Sequence, residues 1–171
     1  SPSLQGLSSL SISDDQNTLF FSDIVDDKIQ KLDLSSKSTV IQSINKNSKS
    51  LLNKPSSIAV IPNSEFIFVS DTFNHRIVKV NSKTNETSII AGSGLPLLTD
   101  GIGNAASFNR PLGLAAISSS IIAVSDSENC AIRYLDVMTG SVQTIAGGQE
   151  GYLDGPAKEA KFNVPSALAL T

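Results

Sequence analysis

The chain has 171 residues, 40% of them hydrophobic and 17% charged, and its formal net charge is −3. This composition is typical of a folded domain with its own core, while the weak negative charge argues against a nucleic-acid surface, which is usually strongly basic. No apolar run approaches the roughly 20 residues of a membrane span, and the single cysteine excludes an intrachain disulfide.

The first predicted strand covers residues 7–13 and opens a unit that recurs twice along the chain. The Ser22-Asp23 pair follows this strand, and Ile29 comes six residues after the aspartate. A turn cluster at residues 35–37 and a β-rich run at residues 39–41 complete the unit. The order is therefore a strand, a Ser-Asp pair, an isoleucine, a turn and a further strand.

The second unit shows this order most clearly. It predicts four strands, at residues 57–61, 66–70, 76–80 and 87–91. The runs are short, rich in β-branched and aromatic residues, and bounded by turn residues, as strands are. Residues 66–69 are apolar on both faces of their strand, which indicates a sheet that is covered on both sides.

The third unit has a strand at residues 112–117, the Ser125-Asp126 pair, Ile132 and a β-rich run at residues 143–145. Repeats of this kind, each made of four short strands, are typical of radial arrays such as propeller blades. We therefore predict an all-β fold, a β-propeller of four-stranded antiparallel blades with the first strand of each blade innermost. The blades should cover residues 7–44, 55–92 and 111–148, and a fourth should begin at residues 165–171.

A second repeated phrase lies in the two later linkers between units. Asp100-Gly101 and Asp154-Gly155 each precede a phenylalanine, which comes eight residues after the aspartate, and a proline three residues further on. Asp-Gly favours a tight turn, because glycine accepts positive φ and aspartate can bond its own backbone. We predict that the two phenylalanines, Phe108 and Phe162, are buried between successive blades.

These phrases resemble the NHL-repeat family of β-propellers. Residues 69–77 match the apolar-Ser-Asp-x-x-Asn-x-x-Ile stretch of the family closely, and residues 124–133 match it well. Residues 21–29 are a weaker match, with Asp26 where asparagine is usual. The resemblance implies a six-bladed propeller as the complete object. Three blades then mean either that this is a piece of a longer protein or that two copies close a ring.

Three repeated aspartates, Asp23, Asp71 and Asp126, could in principle form a metal site. Equivalent positions on different blades, however, lie too far apart to share one ion. We expect each to cap the blade turn that follows it by accepting a backbone hydrogen bond there, a structural role. Asn74 and Asn129, three residues later, should adopt positive φ in the same turn.

The remaining candidate groups do not assemble into a reactive site. His75 is the only histidine and Cys130 the only cysteine, whereas zinc sites need several such ligands and a nucleophilic cysteine needs an activating base. We therefore expect no catalytic residue, no metal and no cofactor in this chain. Lys46, Lys49 and Lys54 form a local basic loop and are candidate contacts for an anionic partner.

Three functions fit these observations. The first is a non-catalytic scaffold that presents propeller loops to a protein partner. The second is part of the wall of a propeller lyase or hydrolase whose catalytic residues lie outside this segment. The third is RNA binding, which the scarcity of basic and aromatic residues disfavours. The partner and the oligomeric state stay open, while the single cysteine and the lack of a visible signal peptide favour an intracellular location.

Overall fold

The computed structural model describes residues 6–35, 41–43 and 52–170. Within these ranges the chain forms three antiparallel sheets and three single turns of 3₁₀ helix. Lys46, Lys49 and most of the strand expected at residues 39–41 lie outside the described residues. None of the helical segments in the described ranges is long and apolar enough to cross a membrane.

The three sheets follow one another along the chain. The first contains β1 (Leu7–Ile12), β2 (Thr18–Asp23), β3 (Lys28–Asp33) and β4 (Ile41–Ser43). The second contains β5 (Pro55–Val60), β6 (Phe66–Asp71), β7 (Arg76–Asn81) and β8 (Thr87–Ala91). The third contains β9 (Gly101–Ile102), β10 (Pro111–Ala116), β11 (Ile121–Asp126), β12 (Ala131–Asp136) and β13 (Ser141–Gly147). Each set of four consecutive long strands pairs in chain order, as in propeller blades.

The spacing from the Ser-Asp pair to the isoleucine reflects a cross-strand pair. Ser22 lies opposite Ile29, Ser70 opposite Ile77, and Ser125 opposite Ile132. In each sheet the second strand ends at the aspartate and a tight turn returns the chain into the third strand. The repeat in the sequence is therefore a repeat of strand register.

The short strand β9 was not expected from the sequence. It lies in the linker after the second sheet, yet it pairs with β13 at the outer edge of the third sheet, Ser141 lying opposite Ile102. The linker thus wraps around the sheet that follows it and covers that sheet's outer edge. This pairing covers the beginning of the edge strand, and covering an edge protects it from pairing with other chains.

Two hydrophobic cores lie between neighbouring sheets. One joins the first and second sheets and includes Phe20, Leu52 and Val69. The other joins the second and third sheets and includes Phe68, Phe108 and Leu135. The second sheet, in the middle of the stack, is therefore buried on both faces, which explains the continuous apolar runs in its strands.

The first strands of the sheets lie side by side. Ser8 Oγ donates to the Ser56 carbonyl oxygen at 2.9 Å, and the Ile58 N–H donates to Ser9 Oγ at 3.2 Å. The Leu114 N–H donates to Ser57 Oγ at 3.1 Å. The innermost strands are thus joined by serine side chains rather than by a backbone ladder.

The fourth blade was expected to begin at residues 165–171, but residues 165–170 do not form a strand. Instead, Ser125 Oγ and Ser127 Oγ donate to the carbonyl oxygens of Ser166 and Pro165 at 2.8 and 2.6 Å. Ser70 and Thr72 make the same bonds to Leu112 and Pro111 in the preceding junction. Residues 165–166 therefore occupy the place of a next first strand, but no second strand in the described ranges pairs with them.

Candidate functional site

The blade turns and the linkers meet at one end of the sheets, which we call the linker face. It consists of the turns at residues 24–27, 72–75 and 127–130 and of the linkers at residues 52–54, 92–110 and 148–164. The contacts repeat between blades. The Phe73 N–H donates to the Asn53 carbonyl and the Glu128 N–H donates to the Asn109 carbonyl, both at 3.1 Å.

The buried carboxylates of Asp71 and Asp126 hold this face together. Asp71 accepts the Asn53 N–H at 2.7 Å, and Asp126 accepts the Asn109 N–H at the same distance. Neither side chain caps the turn that follows it, so the prediction of a backbone bond there is wrong for these two residues. Each carboxylate instead turns towards the linker that enters its blade, where a free N–H needs an acceptor.

Asp23 behaves as the sequence suggested. Its Oδ1 accepts the N–H groups of Val25 and Asp26 at 3.0 Å each, both within the following turn. The aspartate at this repeat position therefore accepts different hydrogen bonds in the first blade than in the second and third.

The prediction of positive φ at Asn74 and Asn129 is wrong by one residue. The left-handed positions are His75, with φ of 52°, and Cys130, with φ of 50°. Each of these residues ends a 3₁₀ turn, a position at which a left-handed residue commonly redirects the chain. The asparagines use their amides to donate to the Asp71 and Asp126 carboxylates, at 2.9 and 2.8 Å.

A buried arginine that the sequence analysis missed organises the third blade. Arg133 is fully buried and forms an ion pair with Asp126. Its guanidinium also donates to the carbonyls of Thr99 and Ser107 at 2.9 and 3.1 Å and stacks over the Phe108 ring, 5.2 Å from its centre. Arg133 comes seven residues after the aspartate and two after Ala131, which lies opposite Asp126. Side chains two apart on a strand share one face.

The second blade also pairs an arginine with its turn aspartate. There Arg76, five residues after Asp71, donates from Nε to the carboxylate at 2.7 Å. Both arginines therefore lie on the face that carries the turn aspartate. An arginine at either position of a repeat is the signal that could have revealed the network.

The linker aspartate Asp100 completes the network. It accepts Arg133 at 2.8 Å and both the N–H and the hydroxyl of Thr144, at 2.9 and 2.8 Å. Burial alone would raise the pKa of Asp100, but these donors outweigh it and lower the pKa below its ordinary value. For Asp126, burial raises the pKa, and its own donors oppose that rise. The linker is thus fastened to the blade that it precedes.

The two linker phenylalanines differ in burial. Phe108 is fully buried between the second and third sheets. Phe162 is only half-buried, against our expectation, because a sheet lies on only one side of it among the described residues. Lys54 is exposed on the linker face, and its N–H donates to Asp27 at 2.7 Å.

Several exposed large apolar side chains lie on the two later linkers. They include Leu95, Leu97, Leu98, Tyr152 and Leu153. Tyr152 is 87% exposed, so its position is not explained by the core. The loops at the opposite end carry fewer such residues, among them Met138. The linker face therefore offers large apolar groups on a well-fastened backbone.

A polar cleft of about 650 Å³ opens at the opposite end, between the first and second sheets. Its charged groups are mixed in sign, and both of its lysines are engaged. Lys31 donates to the Ser82 carbonyl at 2.9 Å, and Lys83 pairs with Glu65 at 2.5 Å. The cleft thus carries more carboxylates than lysines, and neither lysine is left to bind an anion.

Reactive groups do not converge in the described part of the chain. No group of three or more histidine, cysteine, aspartate or glutamate side chains there is placed to hold a metal ion. His75 Nδ1 accepts the Arg110 N–H at 3.1 Å. Burial, and then the nearby Arg110 charge, lower the pKa of His75.

Comparison with known proteins fits this architecture. No protein-family model matches the chain. Over 93 residues, 54% of the chain, it is 39% identical to NHL repeat-containing protein 2 of Bos taurus, of which the match covers 12%. Over 95 residues, 56% of the chain, it is 30% identical to Protein SUPPRESSOR OF QUENCHING 1, chloroplastic, of Arabidopsis thaliana, of which the match covers 9%. The chain thus spans about a tenth of the length of these relatives.

Solved structures share the fold over nearly the whole chain. A protein of unknown function from Bacteroides thetaiotaomicron superposes with a TM-score of 0.81 and 21% identity, over 96% of this chain and 42% of that one. A chain of a nidogen/laminin complex superposes with a TM-score of 0.64 and 15% identity, over 85% of this chain and 49% of that one.

Stacked four-stranded antiparallel sheets with their first strands side by side define a β-propeller, and this chain is a partial one. The Ser-Asp turns, the linker phrase and the identity with NHL repeat-containing protein 2 specify the class further. The chain thus resembles the NHL-repeat propellers over 54% of its length.

Proposed function

We propose that this propeller segment is a non-catalytic scaffold that binds a protein partner through its linker face. The observation that carries the proposal is the set of exposed apolar side chains on the two later linkers. Large apolar and aromatic groups dominate the energetics of protein interfaces, and a rigid backbone reduces the entropy lost on binding. The partner should present an apolar patch with a polar rim to Leu97, Leu98 and Tyr152.

The network beneath the linkers supports this role. Arg133 and Asp100 hold the linker at residues 92–110 against the third blade. Asn129 donates to the Leu97 carbonyl in the same linker at 3.0 Å. The apolar side chains are thus displayed from a fixed support. The presence of the same fold in a nidogen/laminin complex is consistent with propellers that bind proteins.

The test is an affinity capture from a lysate of the native cell, followed by binding measurements with the purified partner. Leu97→Asp and Tyr152→Asp should each weaken binding by tenfold or more, the loss on the order of 1.4 kcal/mol that truncation of an interface anchor gives. Met138→Asp, at the opposite exposed end, is the matched control and should bind as the unchanged protein does.

Equal binding by all variants would refute the linker face as the contact surface. Recovery of nucleic acid whose binding weakens steeply with salt would favour the RNA alternative instead. We also propose an intracellular location, supported by the single, buried and unpaired Cys130. Cell fractionation followed by detection of the protein tests that location.

A further inference from the structure

The linker before the third blade and the linker after it have the same internal geometry. In the first, Thr99 and Ser107 form an antiparallel bridge, and in the second, Leu153 and Lys161 do. The bonds agree as well: the Ser107 N–H donates to the Thr99 carbonyl at 3.0 Å, and the Lys161 N–H donates to the Leu153 carbonyl at 3.0 Å. Residues 54 apart are therefore equivalent in the two linkers.

The first linker forms a receptor for a guanidinium group. Two carbonyls, the Asp100 carboxylate and the Phe108 ring surround the Arg133 side chain. This set of groups suits arginine in particular, because its planar fork reaches several acceptors at once and its face stacks on a ring.

The second linker repeats every part of that receptor. Leu153 and Lys161 stand where the two carbonyl-bearing residues stand in the first linker, Asp154 corresponds to Asp100, and Phe162 to Phe108. In place of a side chain like that of Arg133, these residues line a cavity of about 460 Å³. The Lys161 side chain runs alongside Gly151, Asp154 lines the cavity with its negative charge, and Glu150 lies opposite Phe162 in an isolated bridge.

We propose that this cavity, bounded by Leu153, Asp154, Lys161 and Phe162, is a binding site for the arginine side chain of a further propeller blade. That blade would pack on the third sheet and bring its arginine over the Phe162 ring, which would then become buried as Phe108 is. The inference goes beyond the proposed protein binding and does not depend on it.

A second copy of this chain is a poor source of that arginine. If its first blade packed on the third sheet, the residue seven positions after the aspartate would be Gln30. A neutral amide has no positive charge for Asp154 and no guanidinium face for Phe162. The site therefore calls for a blade that carries arginine at this position.

The test is titration of the 171-residue protein with N-ethylguanidinium, observed by the backbone amide signals of residues 153–163 in NMR spectra. We expect saturable shifts confined to these residues, and binding about fivefold weaker in Asp154→Asn, as expected for loss of one partly exposed ion pair. Ethylammonium, which has the charge without the planar fork, should bind more weakly than N-ethylguanidinium.

Asp154→Asn should fold normally because Asp154 is exposed. Equal responses to the two cations, or an unchanged affinity in Asp154→Asn, would overturn the proposal. Sedimentation equilibrium tests whether a second copy of the chain occupies the site. A dimer of the unchanged protein that dissociates in Asp154→Asn would place a second copy there and contradict the proposal of an arginine-bearing blade.

Discussion

Removing the positive charge of Arg133 should destabilise the protein strongly. In Arg133→Met the side chain keeps its approximate length and apolar stem, but the fully buried Asp126 loses its counter-charge. Breaking one partner of a buried pair typically costs about 3–5 kcal/mol, because the other charge stays buried without compensation. We expect a loss of this size in the free energy of unfolding.

The structure indicates where that cost arises. The Thr99 and Ser107 carbonyls each still accept the N–H of the other residue, and Asp100 keeps both bonds from Thr144. The cost therefore falls mainly on Asp126, which retains only its bonds from Asn109 and Asn129. Asp126→Asn in the Arg133→Met background should recover part of the loss, because the amide carries no charge to bury.

Urea unfolding followed by circular dichroism measures these effects as a double-mutant cycle. Lys83→Met is the matched control. It removes an ion pair whose partners are 70% and 54% exposed, and solvent screens such pairs, so the loss of stability should be small. A loss under about 1 kcal/mol in Arg133→Met, or strict additivity with Asp126→Asn, would refute the argument that the pair is energetically coupled.

Three further changes test other parts of the fold. Phe108→Ala should lower the free energy of unfolding by about 3–5 kcal/mol, because the ring is fully buried between two sheets. Gly113→Ala should cost about 1–3 kcal/mol, since a β-carbon there collides with the carbonyl of the adjoining segment, whereas Gly155→Ala meets no atom and should be neutral. Both are measured by urea unfolding, and equal costs for the two alanines would contradict the close approach. The pKa of His75 is lowered in the folded state, so the unfolded chain binds the proton first, and stability should fall as the pH drops below 6.5. In His75→Asn, which also tolerates positive φ, the melting temperature should fall less over that range; identical pH curves would show that folding does not lower the pKa of His75.

The repeated parts of this protein could be predicted from its sequence. Strand β8 has the bounds expected, and strand β6 exceeds them by one residue, Asp71. These elements depend on local properties, namely alternation of apolar residues, β-propensity and turn residues. Because the same local pattern recurs three times, the fold class follows from it as well.

The partners of individual side chains depended on the tertiary structure. The sequence marked Asp71 and Asp126 as turn residues, but their acceptor bonds go to linkers that precede them by 17 or 18 positions. The role of Arg133 depends on β9 and its linker folding back on the third sheet.

Burial of Phe162 likewise depends on which surface packs beside it, and residues within its own linker carry no information about that surface. Local chemistry therefore determined the blades and their order. Contacts between distant segments decided which charges are paired, which rings are buried and which apolar side chains stay on the surface, because burial depends on what the rest of the chain places next to a residue.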